Sequence, residues 1–344
     1  MTRHLPRLRL PIFPAMVIVA TFGAAPFVAR GQTPTLSAEG DLGRVVQLIH
    51  QGKRDEALKQ VKSLVKDDES NAEAHYYLGV VYLQFNDFKN ARTAFESAIK
   101  LRPGLAASAH AQSAYAQVLR GNLQAATPEV RKALEIDPYN VDALYTMALI
   151  NVRNGERDEA IRSADNLILV KPDLADAYLL KSMAFVGLSR QVSVIHEDQQ
   201  YRLLRYQAAA DNLDQYLKLS TDKQATQFWQ GQLESLRFYL KAEQPGSTEA
   251  YSSRQLTTKF RVVEKPEPSY TEAARAEQVQ GTVVLRAVVG VDGTLQHILV
   301  VQSSTHGLTE ASVAAASKIK FSPGILDGKP VPTFIQLEYD FNLF

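Results

Sequence analysis

The chain has 344 residues, 45% of them hydrophobic and 22% charged, enough length and apolar content for two globular units. A net charge of +1 gives no electrostatic ground for a nucleic-acid partner. With no cysteine, the sequence excludes disulfides, thiol catalysis, cysteine-ligated zinc and lipid attachment at a cleavage-site cysteine.

Residues 1–31 carry Arg3, His4, Arg7 and Arg9, no acidic residue, and an uncharged run over 10–29. This is the pattern of a targeting segment, and two readings stay open. As a signal peptide, it has an apolar stretch at 16–25 and small residues, Ala29 and Gly31, at the positions a signal peptidase inspects. As a retained signal anchor, its uncharged run meets the minimum of about 18 residues for a spanning helix. Pro11, Pro14 and Pro26 interrupt that run. In both readings the arginines stay cytoplasmic and everything downstream is exported.

From 38 to 241 the chain repeats itself. In the unit 72–105, Leu78-Gly79, Tyr82, Ala91, Phe95, Ala98 and Pro103 stand at fixed positions, and the frame recurs at 38–71, 107–140 and 141–174. The physical sense of the spacing is direct: Gly79 and Ala91 are small where two helices cross, Tyr82 and Phe95 fill the adjacent space, and Pro103 ends the second helix. This pattern resembles the tetratricopeptide repeat, a helix-turn-helix unit of about 34 residues. Under a strict frame Pro128 falls inside a helix, so the expectation is a late start, with Thr127 as cap and Pro128 in the first turn. A fifth unit begins at Ala175; its turn is enlarged over 189–200, and its second helix resumes near Tyr201. Residues 221–241, with Phe228, Trp229, Leu233, Leu236 and Leu240, read as a helix closing the array, since an uncovered solenoid end leaves apolar surface in water.

The repeat frame places Tyr76, Tyr115, Tyr145, Leu149 and Arg153 on the inner faces of first helices, where they line a groove for an unknown protein or peptide or take part in ordinary inter-repeat packing. His75 and His110 occupy a packing position of successive first helices. The sequence carries no HExxH, no histidine and carboxylate cluster at ligand spacing and no Gly-rich phosphate loop. Ser303-Ser304 lacks the flanking glycines of a nucleophile elbow. The expectation is a protein that is not an enzyme and uses no cofactor or metal.

Residues 242–258, rich in Ser, Thr, Gln and Glu with Pro245-Gly246, read as a linker reaching about 60 Å when fully extended. Beyond it, Gly281–Val289 alternates with Val283, Leu285, Ala287 and Val289 on one face. Residues 295–303 follow the same period, with His297 expected on one face with Leu295 and Leu299. Gly290-Val291-Asp292-Gly293 between them reads as the turn of an antiparallel hairpin. The Ala-rich run 308–320 reads as a short helix stopped by Pro323. In 333–342, Ile335, Leu337, Tyr339 and Phe341 alternate with polar residues. This is an amphipathic strand suited to a sheet edge, where another chain can add.

Pro268-Ser269-Tyr270, Ala273-Ala274, Gly281-Thr282-Val283, Asp292-Gly293, Ser303-Ser304, Leu308, Phe321-Ser322-Pro323, Asp327-Gly328-Lys329-Pro330-Val331 and Tyr339-Asp340-Phe341 fall in the order and spacing of the TonB C-terminal domain, which this region resembles over about 75 to 80 residues. Tyr270-Thr271 and Ser303-Ser304-Thr305 depart from the family's usual Tyr-Pro and Ser-Ser-Gly. The resemblance implies a periplasmic domain that grips an extended segment of an outer-membrane receptor or transporter by strand addition. Thr333, Ile335, Gln336, Leu337, Glu338, Tyr339 and Phe341 then form the docking edge. It also raises energy transduction through the ExbB and ExbD inner-membrane motor. Against that stand the absence of a long proline-rich segment and of a histidine within 10–29. A scaffold joining envelope proteins without energy input is the alternative. Localisation is expected in the periplasm of a Gram-negative-type envelope, soluble or held in the inner membrane through the N-terminal segment.

The expected architecture is α + (α+β). A tetratricopeptide-type α-solenoid (38–241) is followed by the linker (242–258) and a small TonB C-terminal-like α+β domain (259–344) with a three-stranded antiparallel sheet.

Overall fold

The computed structural model describes residues 40–85, 87–187, 199–276 and 279–342. The targeting segment 1–31 and most of the enlarged turn at 189–200 lie outside the described residues.

Five antiparallel helix pairs build the array: α1 (Asp41–His50) with α2 (Arg54–Asp67), α3 (Ala72–Gln84) with α4 (Phe88–Leu101), α5 (Ala106–Leu119) with α6 (Leu123–Ile136), α7 (Val141–Asn154) with α8 (Arg157–Val170), and α9 (Ala175–Val186) with α10 (Gln199–Leu219). The closing helix α11 (Lys223–Ala242) follows. Side-chain caps start the helices where the sequence supplies Asn or Asp: Asn71 accepts from the Ala74 amide at 2.9 Å and Asn140 from the Ala143 amide at 3.0 Å. A Cβ at Gly79 would lie 2.6 Å from the Phe95 ring, so the close crossing of α3 and α4 requires glycine there.

The late start expected at Pro128 is corrected. Helix α6 begins at Leu123, capped by Asn122 through the Ala125 amide at 3.2 Å, and Pro128 lies inside it. Thr127 is no cap; its hydroxyl donates to the Leu123 carbonyl at 2.8 Å. Pro128 cannot bond the carbonyl of Gln124, but both residues are exposed, so water satisfies that group and the helix continues.

The C-terminal part comprises β1 (Arg261–Glu264), α12 (Glu272–Ala276), β2 (Gly281–Val289), β3 (Leu295–Gln302), α13 (Leu308–Ala316), β4 (Lys320–Ser322), β5 (Gly324–Leu326), β6 (Lys329–Val331) and β7 (Thr333–Phe341). Its main sheet is three-stranded and antiparallel in the order β3-β2-β7, with short ladders β1-β4 and β5-β6 beside it. The β2-β3 turn closes through the Gly290 amide on the Thr294 carbonyl at 2.8 Å, with Gly293 at φ 77°. The helix expected to run to 320 instead ends at Ala316, because Lys320–Ser322 leaves to pair with β1 as a strand. Asp327 and Gly328 both take positive φ in a second tight hairpin, between β5 and β6.

One face of the sheet, with Val283, Leu285, Ala287, Val289, Leu337, Tyr339 and Phe341, encloses a core with Leu308, Ala316 and Ile319. The other face is covered by the array over β2 and β3, while Gln336, Glu338 and Asp340 of β7 stay exposed on it. Val284, Leu299 and Val301 pack with Leu179, Tyr206, Leu213, Leu233, Leu236 and Tyr239 of the helical array. Helix α11 therefore caps the solenoid and floors the sheet. His297 shares the array face with Leu299 but not with Leu295. It sits at φ 50° where the β2-β3 register shifts, and the bulge sends Leu295 to the inner core and Leu299 to the array. The His297 ring stacks on Phe238, centroids 3.7 Å apart.

Residues 242–258, expected to be a free linker, are built into both parts. Glu243 and Ala250 are buried, Tyr251 pairs with the start of β7, and Thr258 exchanges two backbone hydrogen bonds with Ile325, at 3.0 and 2.8 Å.

Candidate functional site

A three-stranded sheet has two outer strands, and the fold treats them differently. On β3 the outward backbone groups are met by helix α11. The Gln232 amide donates to the Ile298 carbonyl at 3.1 Å and accepts from the Val300 amide at 2.7 Å, while the Ser235 hydroxyl donates to the same carbonyl at 3.3 Å. One side-chain amide thus presents the donor and acceptor that a neighbouring strand would supply.

Among the described residues, the outer flank of β7 is covered only at its start. The Phe334 amide donates to the Tyr251 carbonyl at 2.9 Å, and the Tyr251 amide to the Pro332 carbonyl at 2.8 Å. Since the Phe334 amide points away from β2, the strand's two-residue alternation turns the amides and carbonyls of Gln336, Glu338 and Asp340 the same way. Among the described residues, no strand pairs with that stretch of the flank.

The predicted edge residues divide accordingly. Gln336 and Glu338 offer backbone groups outward, and their side chains hydrogen-bond each other at 2.8 Å. Thr333, Ile335, Leu337, Tyr339 and Phe341 direct their backbone groups to β2, opposite Val289, Ala287, Leu285, Val283 and Gly281; Leu337, Tyr339 and Phe341 fill the core. Asp340 belongs to the open flank and was missed by the sequence reading, although its alternation with Tyr339 and Phe341 marks it. Its carboxylate accepts from the Thr282 hydroxyl at 2.6 Å, tying the flank to β2.

Beside the far end of β7 lies an open hollow of about 490 Å³ lined by Glu267, Pro268, Tyr270, Arg275, Asp340 and Asn342 among others. The buried Tyr339 hydroxyl, which also borders it, has no hydrogen-bond partner among the described residues. Burial, with Glu267 adding to it, pushes this phenol up to about 12.

The predicted groove residues of the array are not a surface. Tyr76, Tyr115, Tyr145 and Leu149 are 3, 6, 1 and 3% exposed, and the Tyr115 and Tyr145 rings meet edge-on at 6.1 Å. First helices of successive repeats lie close enough for these rings to fill the space between them, which corrects the groove assignment to packing. Arg153 differs: it keeps some solvent contact, and its guanidinium donates to the Val118 carbonyl at 2.6 Å. His75 and His110 hold local contacts, to the Glu69 carbonyl at 3.0 Å and the Glu129 carboxylate at 2.7 Å.

The profile of the family described as "Gram-negative bacterial TonB protein C-terminal" matches residues 266–343, and tetratricopeptide-repeat profiles match 47–106, 81–141 and 117–184. The chain carries a TonB C-terminal domain behind a tetratricopeptide-repeat array. It is 31% identical over 109 residues to Protein TonB of Vibrio cholerae, covering 29% of this chain and 44% of that relative, so it spans less than half the relative's length. Among solved structures, it resembles TTC0263, a thermophilic tetratricopeptide protein of Thermus thermophilus, at 17% identity and a TM-score of 0.44, over 57% of this chain and 97% of that one. It also resembles PilF of Pseudomonas aeruginosa at 14% identity and a TM-score of 0.44, over 60% of this chain and 91% of that one. Both matched families are interaction modules. In the TonB C-terminal domain, β7 is the strand with the open flank, and the hollow beside Tyr339 adjoins it. No helix among the described residues is long and apolar enough to cross a membrane.

Proposed function

We propose that this is a TonB-type protein of the Gram-negative envelope whose β7 edge takes up an extended segment of an outer-membrane receptor or transporter by strand addition. The observation that carries this is the asymmetry of the sheet: Gln232 satisfies the β3 edge, and the Gln336–Asp340 stretch of β7 is left to accept a strand. Three residues with outward backbone groups offer up to six main-chain hydrogen bonds, while the core side chains of β7 stay in place. The repeats act as a protein-interaction or spacer module fixed to the docking domain.

A periplasmic adaptor that joins envelope proteins without the ExbB and ExbD motor is the second reading. It is favoured by the way 242–258 and α11 are packed onto the sheet, since that segment is no extensible tether. The test is binding of the full chain to synthetic peptides copied from the periplasmic segments of outer-membrane transporters, together with cell fractionation and N-terminal sequencing. A processed soluble protein starting near Gln32 excludes motor coupling. No peptide binding at the β7 edge excludes both readings.

A further inference from the structure

Between the array and the TonB C-terminal domain lies a second cavity, of about 140 Å³, walled by the end of α7, by Met183 and Gly187 of the α9 end, by Trp229 of α11 and by the 300–303 segment of β3 and beyond. Its chemistry is uneven. Val152, Met183, Trp229 and Val301 make an apolar wall, and Arg153, Asn154 and Ser303 are polar groups bordering the same space.

Arg153 has no carboxylate partner among the described residues. Its one hydrogen bond among the described residues, to the Val118 carbonyl, engages Nη1 alone. Protein crowds the guanidinium enough that burial lowers it to about 10, yet it keeps contact with solvent. Neither the Asn154 amide nor the Ser303 hydroxyl has a hydrogen-bond partner among the described residues, and neither is sealed away from water. Cations held in such surroundings are normally matched by a carboxylate. Here a cation, an amide and a hydroxyl without one border a hollow large enough for a small group.

We propose that this cavity binds a carboxylate carried on a short apolar stem, with Arg153 supplying the charge and Asn154 and Ser303 the hydrogen bonds. A planar carboxylate suits the free edge of a planar guanidinium, and the Val152, Met183 and Trp229 wall suits an aliphatic stem better than a bare inorganic anion. The stem's source is a free small acid or the last residue of a peptide. Because the walls come from both array and docking domain, occupancy would brace one against the other.

Trp229, the chain's single tryptophan, lines the cavity and reports on it. The full chain is titrated with isovalerate, with isovaleramide, with inorganic phosphate, and with a Gly-Gly-Leu peptide as free acid and as amide. Expected is a saturable change in Trp229 emission with a free acid and none with its amide, with phosphate at least about tenfold weaker. Response to isovalerate alone identifies a small acid as the source, and response to the peptide acid identifies a chain terminus. R153Q should weaken binding at least about tenfold and S303A about threefold, each with an unchanged circular-dichroism spectrum. If R153Q does not fold, S303A and an Asn154→Ala variant decide. Equal response to acid and amide, no saturation by either acid below about 10 mM, or full affinity in folded variants overturns the proposal. Since β7 is untouched, its failure leaves the strand-addition reading standing, and the reverse also holds.

Discussion

Replacing Glu243 by glutamine tests whether the array and the C-terminal domain are one cooperative structure. The Glu243 side chain is 4% exposed, and its two oxygens meet Arg202 of α10 and, at 3.0 Å, Arg286 of β2. Arg286 also donates to the Tyr206 hydroxyl and lies over the Tyr239 ring at 5.0 Å. Burial alone would lower the Arg286 guanidinium, but Tyr206, Glu243 and Tyr239 outweigh it and hold the group above its ordinary range. E243Q keeps the volume and removes the charge, leaving two guanidinium groups short of a counter-ion at an interface. Breaking a buried pair from one side costs about 3–5 kcal/mol. The remaining ring and hydroxyl contacts of Arg286 place the expected loss near the lower end, about 3 kcal/mol. Urea unfolding, followed by circular dichroism for the helices and by Trp229 emission at the α11-β3 contact, should give coincident transitions in the parent. In E243Q the midpoint should fall by about 1 M, taking a slope of about 3 kcal/mol/M, and the Trp229 transition should run ahead of the helical one. The double variant with Arg286→Met should recover part of the loss, because the more buried of the two orphaned charges is gone and Arg202 keeps contact with water. A loss below about 0.5 kcal/mol, with superimposed transitions, would refute the reasoning.

Proline at Glu338 removes an outward amide and should reduce transporter-peptide binding at least about tenfold with little change in melting. Leu337→Pro, which removes a β2 hydrogen bond and a core side chain, should instead unfold the domain, so peptide binding and thermal melts together separate the two flanks. Burial raises the Glu310 carboxyl on α13 to about 7, so the native state holds a proton that the unfolded chain releases at about 4.5. Stability should therefore fall as pH rises from about 4.5 to 7, by at most about 3 kcal/mol, and E310Q should flatten that slope in urea melts. At Gly293, φ is 77° and a Cβ would lie 2.1 Å from the Phe321 carbonyl oxygen. Gly293→Ala should cost about 3 kcal/mol or more, read as a lowered melting temperature.

The helical half was legible because each repeat solves the same local problem: a small residue where helices cross, an aromatic beside it, a cap before it. Gly79 against Phe95 needs no knowledge of the rest of the chain. The sheet was legible in its strands but not in its surroundings. In GTVVLRAVV the alternation of Val283, Leu285, Ala287 and Val289 points to one buried face, yet Val284 and Val288 between them are apolar too, which marks a strand buried on both faces. Arg286 interrupts that face, and no local rule joins it to Glu243 at the end of α11. The reach of a linker was inferred from composition, but Ser- and Thr-rich chain also pairs well with strand edges, as Tyr251 and Thr258 do.

These omissions share one cause, and it bears on function. Alternation tells which side chains face a core, whereas strand addition depends on where backbone groups point, and that is fixed only when a neighbour's register is known. The register of β7 on β2 turns Leu337 and Tyr339 inward and Gln336, Glu338 and Asp340 outward. At the other edge, Gln232 sits where a second strand would pair. The array thus occupies one of the two edges that such a sheet would offer a visiting strand, and attaching it directly to the sheet, without a free tether, is what makes that occupation possible.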